Sequence, residues 1–303
     1  ARWALGRAAL AAGDAETAVA ALAPLADQHQ NPLLYGDVLI ALGRAGQYER
    51  VTELYESAPP PQPMQTISDT VVLAYLEQGE RDALERAIAL RPGDLYANYF
   101  VWKQAQEAGD MEATATYSDT LVHFPLEAID PPDARFLDYA VEVIPDLLEE
   151  GLWDRDKTLN VVSFLVWQHN GATGVERLLR QLIERYPTEP DWPFYLAELY
   201  HRRGDLAQAE MAYRQVLAVD PTYAQTYLRL GMVAEAAGEQ EKAAESLSEA
   251  VRWYAQYHSL APDDLLGLER LVEVCTTQGK AGVENPTCRE TVRLREELDA
   301  RTD

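Results

Sequence analysis

The chain has 303 residues and a formal net charge of −24, with 50 acidic residues against 26 lysines and arginines. This balance argues against binding to nucleic acid or to an anionic membrane surface, because both need a basic footprint. Hydrophobic residues make up 47% of the sequence, which is enough for a packed core, and no run of about 18 apolar residues could span a bilayer.

Residues 1–22 read ARWALGRAALAAGDAETAVAAL, which is two amphipathic segments joined at Gly13-Asp14. Glycine can end a helix in the left-handed conformation, and an acidic residue is favoured at the start of the next helix. We therefore predict a helical hairpin here. Looser versions of the same layout recur along the first half of the chain, around Gly46-Gln47, Gly79-Glu80 and Gly109-Asp110.

Two stretches that contain proline interrupt this order. Residues 58–63 cannot be helical throughout, and residues 125–132 end another helix. The segment 134–150 is then predicted as an extra helix that no repeat accounts for. The expected domains are degenerate repeats over 1–125, an irregular connector with the extra helix over 126–155, three regular units over 156–257 and capping helices over 258–303.

The second half of the chain repeats itself at a strict spacing of 34 residues. Units 190–223 and 224–257 place identical residues at matching positions: Gly204 with Gly238, Leu196 with Leu230, and Ala209 with Ala243. A period of this length indicates a stack of similar supersecondary units, which usually presents an extended surface for binding. Small residues such as Ala197 and Ala209 are expected where neighbouring helices approach closely.

These residues resemble the tetratricopeptide repeat (TPR) family, whose pattern is W-x2-L-G-x2-Y, then A-x3-F, then P. Unit 190–223 supplies Leu196-Ala197, Tyr200, Ala209, Tyr213 and Pro221, and unit 224–257 supplies Tyr227, Leu230-Gly231, Ala243, Leu247 and Ala250. The resemblance covers nearly the whole chain and is most specific from 156 to 257. It implies an all-α, right-handed superhelical solenoid of helix–turn–helix repeats that needs no cofactor.

The resemblance also implies that the first helix of each repeat lines a concave groove. The candidate partner-binding residues are those at its inward positions, with Arg229 beside them: Tyr96, Tyr99, Lys103, Asn160, Phe164, Trp167, Phe194, Glu198, His201, Arg229 and Met232. Aromatic residues suit such a groove because they offer a large contact area. Phe164 and Phe194 could equally pack in the core, whereas Trp167 and Tyr99 are expected in the groove. A chaperone-type carboxylate clamp is not expected, since Phe194 and Glu198 stand where it would need basic or amide residues.

The two cysteines, Cys275 and Cys288, lie at the end of one predicted helix and at the start of the next. Antiparallel helices joined by a loop can bring such ends within disulfide distance. A bridge would indicate an oxidising, extracytoplasmic compartment, whereas two free buried cysteines would fit the cytoplasm. We expect the bridge. A metal site is not expected, because neither cysteine has a CxxC partner.

The sequence contains no recognised catalytic motif. The five histidines form no HExxH motif, and there is no P-loop and no GxGxxG stretch. We therefore expect a non-catalytic protein-interaction scaffold that binds a peptide or partner segment. The acidic charge either keeps the surface soluble or steers a basic partner towards it.

A second hypothesis is a soluble extracytoplasmic accessory TPR domain of a larger bacterial membrane protein, such as a surface-polysaccharide assembly or ligase-type enzyme. It is motivated by the expected disulfide and by Ala1, which falls inside the first helix of the first repeat, so that a longer protein is expected. A third hypothesis is a ligand-sensing regulator, which would need a DNA-binding domain elsewhere.

Overall fold

The structure, a computed structural model, describes residues 1–28, 30–60, 64–125 and 134–236, together with 251, 252, 255, 272, 273, 275, 276, 286–289 and 293. In these ranges the chain forms helices and turns and contains no strand. The chain divides into two compact units, unit 1 over Ala1–Thr158 and unit 2 over Leu159–Asp303. The repeat layout of the sequence thus corresponds to an all-α fold of helical hairpins.

Unit 1 begins with four hairpins. Their helices are α1 Arg2–Ala12, α2 Ala15–Leu22, α3 Pro32–Arg44, α4 Tyr48–Ser57, α5 Gln65–Gln78, α6 Arg81–Leu90, α7 Leu95–Ala108 and α8 Met111–Val122. A short 3-10 turn, Ala23–Leu25, follows α2. The two helices of each hairpin pack together, and α3, α5 and α7 also pack against the helix before them.

All four predicted turn glycines of unit 1 have a left-handed φ, and at the first and fourth hairpins the acidic residue that follows also caps the next helix. Gly13 and Gly109 end α1 and α7 with φ of 77° and 71°, in the left-handed region. The carboxylates that follow cap the next helices: Asp14 accepts from the backbone N–H of Thr17 at 3.0 Å, and Asp110 from that of Ala113 at 3.1 Å. Each turn therefore ends one helix and starts the next through contacts between residues that are close in sequence.

Close helix packing in unit 1 depends on small residues. A Cβ atom added at Gly6 on α1 would lie 2.3 Å from Cγ of the buried Leu22 on α2, so that this crossing admits only glycine. The core continues from here through Leu39 of α3 and Ile67 of α5 to Phe136. One continuous apolar cluster thus joins the hairpins of unit 1.

The extra helix predicted over 134–150 is α9, Ala134–Glu149. It packs against α7, and its buried side chains include Phe136, Leu137, Ile144 and Leu147. This packing makes α9 part of unit 1, so the division between the units falls within α10, Arg155–Gln168, and follows the connector predicted over 126–155.

Unit 2 continues with α11 Thr173–Arg185, α12 Asp191–Arg203, α13 Leu206–Val219 and α14 Ala224–Ala236. The α12–α13 hairpin turns at Gly204, whose φ is 81°, and it packs on α11 at one side and α14 at the other. Ala197 and Ala209 are fully buried, as expected for residues at close helix crossings. The second helix of unit 224–257 and the capping helices expected over 258–303 lie mostly outside the described residues.

Within the described ranges, no helix reaches the length and hydrophobicity that spanning a bilayer would require.

Candidate functional site

The groove residues expected in unit 1 lie under α9. Tyr99 is fully buried, and its hydroxyl donates to Asp146 of α9 at 3.3 Å. The ring of Tyr96, which is half-buried, meets the ring of Tyr139 edge to face at 4.9 Å. Lys103 is half-buried and donates to the Tyr99 hydroxyl at 3.4 Å. The expectation that Tyr99 lines an open groove was therefore wrong, because the extra helix occupies that position.

Two further contacts fix α9 on this face. The Tyr139 hydroxyl donates to Glu77 at the end of α5, and burial together with this carboxylate raises the pKa of Tyr139. The guanidinium of Arg91 lies 3.9 Å from the ring centroid of Phe136. Besides the apolar packing, a hydrogen bond and a cation–π contact thus fix the orientation of α9.

Among the concavities of unit 1 is one that the sequence pattern did not single out, here called the acidic cleft. It has a volume of about 690 Å³ and lies between the start of α4 and the end of α5. Its charged lining residues are Glu49, Arg50, Glu53, Glu77 and Glu80. The cleft carries a net negative charge, because its lining has four glutamates and one arginine.

Two of the groove residues expected in unit 2 are also buried. Phe194 is 6% exposed and packs against Tyr213 and Tyr223, with ring centroids 5.9 and 5.2 Å apart. Glu198 is likewise 6% exposed. Their assignment to an open groove is corrected, because both side chains hold α12 against its neighbours.

Glu198 is the centre of a buried polar cluster. Its Oε1 accepts from the Tyr213 hydroxyl of α13 and lies 2.9 Å from Nε of Arg229 on α14. A buried carboxylate needs such partners, since an unpaired charge in the interior is costly. Burial, with the neighbouring carboxylate, raises the pKa of Tyr213. The cluster therefore ties α12, α13 and α14 together.

The outer edge of this cluster reaches solvent. Arg229 is 22% exposed at its side chain, and its Nη1 lies 3.7 Å from the sulfur of Met232, which is exposed. His201 is half-buried and meets Tyr213 edge to face at 6.4 Å. Burial lowers the pKa of His201, so its neutral form is favoured.

Trp167 lies on α10, the first helix of the hairpin before α12, and keeps 47% of its surface exposed. The guanidinium of Arg202 from α12 lies 3.9 Å from its ring centroid. Asn160 is exposed on the same helix, and Phe164 is half-buried with its ring 6.0 Å from His169. We call the group Trp167, His201, Arg202, Arg229 and Met232 the open face of unit 2.

A second polar network fixes the turn beside Trp167. Arg203 donates to the carbonyls of Asn170 and Ala172 and pairs with Glu176 at 2.7 Å. Tyr200 donates to the same carboxylate at 2.8 Å. Burial raises the pKa of Glu176, but the hydrogen bonds from Tyr200 and Arg203 outweigh it, and the net shift is downwards. The turn that follows α10 is thereby fastened to α12.

Arg202 and Arg203 are adjacent in the last turn of α12. The structure separates them, since Arg203 binds backbone carbonyls and Arg202 stacks on Trp167. No local pattern distinguishes two adjacent arginines in this way, because the nearest of these partners, Glu176, lies 27 residues earlier in the chain.

The two cysteines form the expected pair. Their sulfurs are 2.06 Å apart and their Cα atoms 5.4 Å apart. In the part of the chain that the structure describes, no group of three or more His, Cys, Asp or Glu residues is arranged to hold a metal ion.

Comparisons with known proteins bear on the repeat. The tetratricopeptide repeat model matches residues 196–223 and 224–257. Curated proteins give no match. Among solved structures, MamA is similar with 16% identity over 55% of this chain and 92% of its own, at a TM-score of 0.35.

Two further structures are similar to the chain. TTC0263, a thermophilic TPR protein of Thermus thermophilus, has 18% identity over 76% of this chain and 97% of its own, at a TM-score of 0.27. The TPR2AB domain of yeast Sti1, in a complex with pHSP90, has 15% identity over 92% and 96%, at a TM-score of 0.30.

The family match falls on the two units in which the sequence period is strictest, and the first of them folds as the end of α12 followed by α13. The two segments are joined by the left-handed Gly204, and the small residues Ala197 and Ala209 are buried between helices. Residues 196–257 of the chain thus match the tetratricopeptide repeat model in sequence, and the described part of them, 196–236, matches it in helical layout.

Proposed function

We propose that the chain is a non-catalytic protein-interaction scaffold and that the open face of unit 2 binds a segment of a partner protein. The observation that carries this proposal is Trp167, an indole side chain that keeps 47% of its surface exposed on the first helix of a hairpin. Tryptophan is enriched among the residues that dominate binding energies at interfaces. Large aromatic side chains also lose little conformational entropy when a partner covers them.

The surroundings of Trp167 favour binding because they are already ordered. Trp167 of α10 contacts Arg202 of α12. Helix α12 is joined through Glu198 to Arg229 of α14, which lies beside Met232. A segment lying across these three helices would contact Trp167, Arg202 and Met232. The Glu176–Arg203 and Glu198–Arg229 pairs hold the helices beneath them. Side chains that are fixed before binding reduce the entropy that association costs.

Selection of a random peptide library displayed on phage against the whole chain tests this proposal. Trp167→Ala should weaken the selected peptides by about 2 kcal/mol, which is roughly thirtyfold in Kd. Met111→Ala is the control, since Met111 is 85% exposed on α8 of unit 1 and lies outside the proposed face. Equal affinities of wild type and Trp167→Ala, with unchanged melting temperatures, would exclude this face as the binding site.

We further propose that the partner is basic overall. A chain with a net charge of −24 attracts a cationic partner over long range and accelerates its encounter. Lysine-rich peptides should therefore associate more slowly as ionic strength rises, whereas the dissociation rate should change little. An association rate that does not depend on salt would contradict this part of the proposal.

The cysteine pair supports an extracytoplasmic location and with it the second hypothesis, an accessory domain of a larger bacterial membrane protein. Disulfides persist in oxidising compartments and are rare in the cytosol. Thiol labelling of unreduced, denatured protein taken from its own cells should modify neither Cys275 nor Cys288. Two labelled thiols would remove the argument for this location and leave the cytoplasmic alternative.

A further inference from the structure

We infer that Trp167 and Arg202 together form a subsite for a partner segment that presents a side-chain carboxylate next to an apolar residue. This inference rests on the proposed function and adds the chemistry that the open face of unit 2 selects. Arg202 belongs to none of the positions at which the repeat pattern predicts binding residues. Its role follows from its stacking on Trp167 in the folded chain.

The geometry of the pair leaves the donors of Arg202 available. The guanidinium carbon lies 3.9 Å from the centroid of the indole ring, which is a cation–π distance, and among the described residues no group accepts a hydrogen bond from Arg202. The N–H groups of a guanidinium project from its edge, in its own plane. A planar fork of this kind matches the two oxygens of a carboxylate, and the stacked ring reduces its freedom before binding.

Charge complementarity indicates an acidic group for this subsite. The other arginines of this region are paired, since Arg180 and Arg203 bind Glu176 and Arg229 binds Glu198. Among the described residues, no carboxylate forms an ion pair with Arg202. The open face of unit 2 therefore carries one cation that its own described acidic residues do not neutralise, in a chain with a large excess of acid.

The exposed surface of Trp167 supplies the apolar half of the subsite. The indole is 47% exposed, and covering it with an apolar side chain would remove that surface from water. A carboxylate on the guanidinium edge and an apolar group on the ring would both be engaged only if they are neighbours in the partner. The subsite thus selects a short acidic–apolar element within a segment that is otherwise free to be basic.

The test uses the peptides selected on the whole chain that lose affinity in Trp167→Ala. These peptides should contain Asp or Glu beside an apolar residue. Replacing that acid by its amide should weaken binding to wild type by about fivefold, the usual effect of one exposed ion pair. Arg202→Gln should weaken the acidic peptide by a similar factor and leave the amide peptide unchanged. Arg214→Gln, which removes an arginine that is 64% exposed on α13, should change neither.

The outcomes separate this inference from the proposed function. The carboxylate subsite would be overturned if the peptides that depend on Trp167 lack an acid. It would also be overturned if Arg202→Gln weakened the acidic peptide and its amide counterpart equally. In both cases the binding face itself would remain supported. A library from which no peptide depends on Trp167 would overturn both. Melting temperatures of the variants equal to wild type would show that each loss arises at the surface.

Discussion

In unit 1, helix α9 lies on the face of the first helices and buries Tyr99 completely, whereas in unit 2 Trp167 keeps 47% of its surface exposed. Both residues stand at positions where the repeat pattern expects contact with a partner. The difference between them arises from one helix inserted after the fourth hairpin. An additional helix can thus convert a prospective binding face into core, and the repeat positions alone do not decide which occurs.

The two units also stabilise these faces by different means. In unit 1, α9 contributes mainly apolar burial, with Phe136, Leu137 and Ile144 almost inaccessible to solvent. In unit 2, a buried ion-paired network centred on Glu198 and a half-buried one centred on Glu176 hold the helices. Truncating a buried apolar side chain lowers stability because it leaves a cavity. A buried polar network loses stability when one of its groups is left without a hydrogen-bond partner. Substitutions should therefore affect the two units in distinguishable ways.

The largest effect is expected from Ile144→Ala in α9. Ile144 is fully buried, and its truncation should lower the free energy of unfolding by about 2–5 kcal/mol through lost burial and a residual cavity. Urea denaturation followed by circular dichroism measures this loss. Met111→Ala, at an 85% exposed position of the same unit, should stay within about 0.5 kcal/mol of wild type. A small loss of unfolding free energy in Ile144→Ala would mean that α9 does not pack stably over the face that contains Tyr99, and the comparison between the units would fail.

A smaller effect is expected from Arg203→Ala in unit 2. This substitution removes donors to two backbone carbonyls and to Glu176, at a side chain that is 19% exposed. The expected loss is about 1.5–3 kcal/mol, the range for hydrogen bonds that involve a charged group. Arg180→Ala, where the side chain is 60% exposed and binds the same carboxylate, should cost less than about 1 kcal/mol. Equal losses in the two variants would show that the turn after α10 is not fastened by Arg203.

The sequence predicts those features that depend on contacts between residues close to each other in the chain. The turns at Gly13-Asp14 and Gly109-Asp110, and the extra helix at α9, follow from capping chemistry and from apolar spacing within one segment. The burial of Tyr99 could not be predicted in this way, because it depends on Asp146 and its neighbours, 47 residues later. The stacking of Arg202 on Trp167 likewise depends on how two hairpins pack.

Titration of Asp94 sharpens the comparison on the side of unit 1. This carboxylate caps α7 by accepting from Ala97 at 2.9 Å, and burial raises its pKa above the ordinary 3.8. Between 3.8 and the raised value the folded state binds more protons than the unfolded state, so stability falls as pH rises through this window. Asp94→Asn keeps a capping side chain and removes the titration, and its stability should not fall there. Parallel pH profiles of wild type and Asp94→Asn would contradict the assignment.

The smallest effect, of opposite sign, is expected from His201 in unit 2. Burial lowers the pKa of this imidazole below its ordinary 6.5. Between the lowered value and 6.5 the unfolded state binds more protons, so stability is full above 6.5 and is lost as pH falls through this window. Because the side chain is only half-buried, solvent reduces the size of the effect.

His201→Gln isolates this contribution, since it removes the titrating group and keeps a polar side chain of similar size. Unfolding free energies of wild type and variant, measured from neutral pH down through the window below 6.5, should converge as the wild type loses its advantage. The same pair of proteins should give parallel profiles in the lower window in which Asp94 titrates. A wild type that gains stability relative to His201→Gln on acidification would mean that the imidazole is charged in the fold. The open face of unit 2 would then carry a further cation besides Arg202 and the paired Arg229, and the preference for an acidic element would extend to His201.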